Sequence, residues 1–255
     1  MKFRLKAFSL HLLASAVVLT LVLGGLYLGW YRWPGWYLCS ALKVAPILLL
    51  VDLTLGPLLT LLIANPLKNR RELARDIGVI VVVQLVALVY GTVTLWQGRP
   101  LYYAFSEDRL QIVQASDIKP AELLRAQQEN PALAPHWYSL PRWVWAPLPE
   151  AANERQSIVM AAISGGADVI EMPRYFKPWD AGLARLRSQL LPLDKQHDVR
   201  VRQAKTRTLL RQQMLARGLP PDEPVSIIMT GQGSPLVAVF DRDTLRLRAL
   251  LRSDR

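Results

Sequence analysis

The stretch VAPILLLVDLTLGPLLTLLIA, residues 44–64, decides the fold. It is apolar along its length and broken only by Asp52. Its length of about 20 residues is what an α-helix needs to cross roughly 30 Å of hydrocarbon. Two similar runs flank it, at residues 12–30 and at residues 77–96, the latter broken only by Gln84. Together they predict an N-terminal three-helix transmembrane bundle in residues 1–96, with helices at about 8–31, 42–64 and 77–96. Lys2, Arg4 and Lys6 ahead of the first run would suit a signal peptide. That run is too long for a signal core, however, and ends in Gly29-Trp30-Tyr31-Arg32-Trp33 rather than in small residues. Aromatic residues at a helix end fit a membrane interface, so the reading is an uncleaved anchor.

Asp52 makes the second helix unusual. An acid in mid-membrane costs about 2.5–3.5 kcal/mol by insertion scales unless it is paired or hydrated. Gly56 and Pro57 follow. Pro57 has no N–H to donate to the carbonyl of Leu53, so the helix is expected to kink or loosen there. Asp52 and Gly56, four residues apart, share a face. Two uses of that face are open: contact with a partner helix, or satisfaction of Asp52 by neighbours inside the bundle. In the third helix Gln84, Ala87, Gly91 and Thr94 line one face. The small residues permit close approach of backbones, and Gln84 and Thr94 can hydrogen-bond across helices. Asp52, Gly56, Pro57, Gln84 and Gly91 are the candidate contacts for a partner helix.

Charge sets the expected orientation. The N-terminal tail carries Lys2, Arg4 and Lys6, and the second loop carries Lys68, Arg70, Arg71 and Arg75. The first loop carries only Arg32 and Lys43. The positive-inside rule therefore puts the tail and second loop in the cytoplasm and residues 97–255 outside, which in a Gram-negative cell is the periplasm. Residues 1–96 hold nine Lys or Arg against three acids, and the rest hold 22 against 17. Half of the net charge of +11 thus follows from topology. The same topology argues against nucleic acid as a partner, as does the lack of a zinc-finger, RNP or helix-turn-helix pattern.

Residues 97–255 read as an α+β domain. Residues 101–105 and 110–114 form a hairpin signal around a turn at residues 106–109. Pro120 suits the first turn of a helix ending near Gln128. Residues 131–149, rich in Pro and Trp, read as an irregular connection. Trp137, Trp143 and Trp145 there either pack on the domain or lie near lipid headgroups. Further helices are expected at residues 153–164, ending at Gly165-Gly166, from Asp180 as a cap to Leu190 or Leu191, and at residues 198–217. The last is basic, and its charged face is either solvated or turned to an acidic partner. Apolar runs at residues 225–229, 236–240 and 245–251 read as strands that pair with the first hairpin in one sheet.

No catalytic pattern emerges. His11, His136 and His197 show no metal-ligand spacing, and no nucleophile elbow, phosphate loop or dinucleotide fingerprint is present. Cys39 is the single cysteine, so no disulfide forms within the chain. The expectation is a protein that is not an enzyme and needs no cofactor or metal.

Three segments carry a family resemblance: residues 51–60 (VDLTLGPLLT), the third helix from Asp76 through Gln84-Leu85 to Tyr90-Gly91, and the hairpin with Arg99, Pro100, Tyr102, Phe105, Asp108 and Arg109. They resemble the TfpX/TfpZ-type type IV pilin accessory proteins. The resemblance is specific over about residues 1–130. It implies a multi-pass protein of the bacterial inner membrane with a periplasmic C-terminal domain. The implied partners are a type IV major pilin, inner-membrane pilus assembly proteins and the lipid bilayer. The implied function is a chaperone-like part in pilin assembly or in the balance of pilus extension and retraction. A pilin waits in the membrane by one apolar N-terminal helix, and the Asp52/Gly56 face would contact that helix. The alternative is a membrane sensor or signalling subunit with a periplasmic ligand domain, against which stands the small cytoplasmic portion.

Overall fold

The three apolar runs form three long helices in the computed structural model, which describes residues 2–39, 41–65, 67–195, 201, 203–219 and 225–253. The first helix is Lys2–Gly29 and the third is Arg70–Gln97. The second is composite: α-helix Ala41–Leu50, a π-helical turn Val51–Leu55, and α-helix Gly56–Ile63. All three spans are long and apolar enough to cross a membrane. The first and third start several residues before the apolar runs do. A side-chain cap, not hydrophobicity, sets the third helix's start: the Asn69 side chain accepts from the Arg71 N–H. Arg70, Arg71 and Arg75 therefore lie on helix rather than loop.

The expected loosening at Pro57 takes a definite form. The Gly56 N–H donates to the Val51 carbonyl, one residue further back than in an α-helix. In that register the Asp52 carbonyl would look to residue 57, where proline has no N–H to give.

The chain divides into two compact units. The first comprises Met1–Trp36 and Ser40–Arg99, and the second Tyr37–Cys39 and Pro100–Arg255. The first unit is the membrane unit. Leu13, Leu21, Val82 and Val86 are exposed on its outside, while Asp52, Thr60 and Gln84 are buried. That is the polarity lipid selects.

The second unit is α+β and is built on one eight-stranded mixed sheet. The strands are β1 (Pro100–Ser106), β2 (Arg109–Gln114), β3 (Arg142–Trp145), β4 (Lys177–Pro178), β5 (Leu191–Pro192), β6 (Val225–Thr230), β7 (Leu236–Phe240) and β8 (Leu247–Arg252). Their order is β4-β3-β1-β2-β6-β7-β8, with β5 beside β6. The expected β1–β2 hairpin is present, and β2 pairs in parallel with β6. That pairing joins the two ends of the domain in one sheet. Tyr102, Ala104, Val113 and Val144 pack with Ile158, Val169 and Phe176 in one core. Val237, Val239 and Leu251 pack with Leu210 and Met214 in a second.

Four expectations need correction. Residues 131–149 are not wholly irregular, because Arg142–Trp145 is a strand parallel to β1. Trp143, Val144 and Trp145 favour a strand, but so short a run between prolines did not stand out. Asp180 does not cap a helix; it lies in a 3-10 turn, Trp179–Gly182, and the helix that follows is Leu183–Gln189. The last strand begins at Leu247, since Leu245 takes a left-handed φ of 53°. The basic helix is Ala204–Leu215, ended by Gly218 at φ 66°. Its expected start at residue 198, together with His197 and Pro220, lies outside the described residues.

Tyr37–Cys39 is an unexpected member of the second unit. The Leu38 carbonyl accepts from the N–H groups of Gln232 (2.7 Å) and Gly233 (3.1 Å) in the β6–β7 loop. A Cβ on Gly231 would sit 2.6 Å from the Leu38 oxygen, and one on Gly233 2.2 Å from the Tyr37 oxygen. Those two glycines make the approach possible. Cys39 is buried in this unit, and its burial pushes the thiol well above its usual range.

Candidate functional site

Each of the three membrane helices contributes a polar group to one buried chain of hydrogen bonds. His11 of the first helix holds Thr60 through Nδ1 (2.6 Å) and Gln84 Oε1 through Nε2 (2.7 Å). An amide oxygen only accepts, so Nε2 carries a hydrogen. In the neutral ring Nδ1 then accepts from the Thr60 hydroxyl. The other end of the Gln84 amide donates to the Asp52 carbonyl (3.3 Å) and reaches Asp52 Oδ1 at 3.5 Å. Gln84 thereby satisfies the carbonyl that the π-helical turn and Pro57 leave without a backbone donor. Gly56 is what admits it, since a Cβ there would lie 2.0 Å from Gln84 Nε2.

Asp52, Gly56, Pro57 and Gln84 thus come together. They face the interior of the unit, though, where all four are buried. Gly91 is buried as well but belongs to a different contact, against the Leu48 side chain. Thr94 does not bond across helices; its hydroxyl donates to the Tyr90 carbonyl one turn back. The residue that sequence reasoning missed is His11. It sits at the edge of an apolar run, and its partners are 49 and 73 residues away in the chain.

The network is not closed. Asp52 Oδ2 is buried and has no hydrogen-bond partner. Beside it is a cleft of about 150 Å³, with His11, Ser15, Asp52 and Gln84 as its polar lining. Ala14, Val18, Val81, Leu85 and Leu88 supply apolar walls. Val18 and Leu85 are also exposed on the outside of the unit, so the cleft's rim is reachable from the bilayer. It offers an unsatisfied carboxyl oxygen, a histidine and a serine hydroxyl behind a wall of aliphatic side chains.

The hairpin residues do structural work. Pro100 opens β1 opposite Gln114. The Tyr102 hydroxyl donates to the Leu133 carbonyl at 2.5 Å, its ring meets Phe176 edge-on at 4.9 Å, and burial pushes it up to about 12. Phe105 is fully buried, edge-on to Trp179. Asp108 is exposed in the turn, and Arg109 pairs with Asp168 at 2.5 Å. Arg99 closes the first unit: it donates to the Trp96 carbonyl at 2.7 Å and stacks over the Trp96 ring, and burial holds its guanidinium below the usual range. A groove in the second unit has Trp143, Trp179 and Phe240 among its lining. Among the described residues there is no group of three or more His, Cys, Asp or Glu placed to hold a metal ion.

Comparison with known proteins adds a direction. The chain is similar to the fimbrial assembly protein of serogroup I of Dichelobacter nodosus, 28% identical over 75% of this chain and 73% of the relative. It is equally similar, over the same extent, to the serogroup E1 protein of that organism. With the fimbrial assembly protein of serogroups C1 and C2 it is 32% identical over 124 residues, 49% of this chain and 95% of the relative. No family model matches the chain. No solved structure matches it.

Proposed function

The chain belongs to the fimbrial assembly protein family, and on that premise we propose that it is a non-enzymatic accessory factor of the TfpX/TfpZ type, which holds a type IV pilin in the inner membrane before or during its assembly. In this reading the N-terminus and the Arg70–Arg75 segment are cytoplasmic and the second unit is periplasmic. The membrane unit receives the pilin's apolar helix from the side, through the bilayer, while the second unit stands beside the pilin head. Inner-membrane assembly proteins take the subunit onward.

The observation that carries the docking is the open cleft among His11, Asp52 and Gln84. A membrane bundle with no outside partner gains nothing from leaving a carboxyl oxygen unsatisfied beside a lipid-facing opening. Interhelical hydrogen bonds in lipid are each worth about 1 kcal/mol, so a partner that completes the network has a modest, reversible hold. Reversibility suits a factor that must release its client.

The direct test is a photocrosslinking residue placed at Leu85 or Val18 in native membranes, followed by mass spectrometry of what it captures. Both line the cleft and are exposed, so the probe fits. Position 56 would not serve, because any side chain there strikes Gln84. Capture of a fimbrial subunit is the expected result. Capture of nothing but lipid and this chain's own helices would overturn the docking.

A further inference from the structure

The orphan oxygen says what kind of group the partner must bring. Asp52 lies near the middle of the span Lys43–Ile63, and that span holds no other acid or base beyond Lys43 at its end. Among His11, Gln84 and Asp52 most of the hydrogen-bonding roles are already assigned. Gln84 spends its amide hydrogens on Asp52 and its oxygen on His11, and His11 spends both ring nitrogens on Gln84 and Thr60. Of that network Asp52 Oδ2 is left over, and the Ser15 hydroxyl is the one further polar group of the lining. A carboxylate oxygen in hydrocarbon is satisfied by a charged donor far better than by a neutral one.

Two kinds of cation arrive by way of a membrane helix. A lysine has a long aliphatic stem and carries its head back to the headgroup layer, out of reach of an acid at mid-span. The amino end of a helix cannot do this, because its charge is fixed to the backbone. It also presents the free N–H groups of the helix's first turn and the positive end of the helix dipole. The cleft matches that end in size and polarity: about 150 Å³, aliphatic on its walls and acidic in one place. Resting on the docking proposed above, we infer that the cleft beside Asp52 binds the free α-amino terminus of a partner helix that begins inside the bilayer, with Asp52 Oδ2 accepting from the ammonium.

The test uses the full chain in lipid nanodiscs with the photocrosslinking residue at Leu85. The probe is a synthetic apolar membrane-spanning peptide, presented once with a free amine and once N-acetylated. Acetylation should lower the crosslinking yield by about tenfold, the usual worth of a charge-assisted hydrogen bond in a dry site. Asp52→Asn, nearly the same shape, should lower the free-amine yield to the acetylated level, and Asp52→Glu should restore part of it. Equal yields for the two peptides, or no effect of Asp52→Asn on the free-amine peptide in protein that retains its normal membrane level and protease pattern, would overturn the inference. Neither result touches the docking itself. That is decided by whether a fimbrial subunit is captured from Leu85 in native membranes, and failure there would remove both readings.

Discussion

The two units solve the same packing problem in opposite solvents. In the membrane unit Leu21 is 71% exposed and Asp52 only 4%. In the second unit Leu110 is fully buried, while Asp108, two residues away, is exposed. Apolar side chains therefore carry the second unit's stability, as in any water-soluble core. Between the membrane helices lipid removes that driving force. Close packing around glycine and a few hydrogen bonds take over. A substitution should thus cost very different amounts in the two units, and that contrast is open to measurement.

The largest difference is expected for leucine. Leu110→Ala should cost about 2–5 kcal/mol in thermal or denaturant unfolding of the detergent-solubilised chain. Leu21→Ala should stay within about 0.5 kcal/mol. A costly Leu21→Ala would mean that this face is not lipid-facing and would break the comparison. Glycine comes next. Gly56→Leu drives a side chain into Gln84 and should destabilise the membrane unit by about 1–3 kcal/mol, whereas Gly78→Leu, with open space around it, should be silent. Read by protease resistance in membranes, equal behaviour of the two would show that the Gly56–Gln84 contact is not made.

The polar groups should give smaller effects. His11→Ala strands Gln84 and Thr60 and should cost about 1 kcal/mol in the membrane unit. A loss of several kcal/mol would make the network the main source of that unit's stability. In the second unit Tyr102→Phe removes one hydrogen bond, worth about 1 kcal/mol. Here pH gives an independent check. Burial raises this tyrosine from 10.0 to about 12. Its hydroxyl therefore contributes fully below pH 10 and loses its contribution as pH climbs through about 12. The Tyr102→Phe variant should lack that alkaline component, so the gap between the two proteins should narrow across that window.

How much of this could be read from the chain depended on whether the deciding interaction was local. The three spans were legible because lipid demands uninterrupted apolar length. Asp52, Gly56, Pro57 and Gln84 were legible because each breaks a rule that holds around it. Their environment was not, since spacing fixes which face a residue is on but not whether that face meets a partner or its own bundle. His11 was invisible for the related reason that one polar residue at the margin of an apolar run has no local signal. Strand Arg142–Trp145 was hidden by the prolines around it, and Tyr37–Cys39 by being only three residues long.

Those three residues change where the gene can be cut. A fragment that starts at residue 100 lacks Leu38, which is fully buried, and loses the carbonyl that occupies the Gln232 and Gly233 N–H groups. It would be translated with a vacancy in its own interior. Residues 37–39 carry the missing piece, so a fragment that keeps them should be the more stable one. The second unit's true boundary is therefore not residue 99, because its interior includes Leu38.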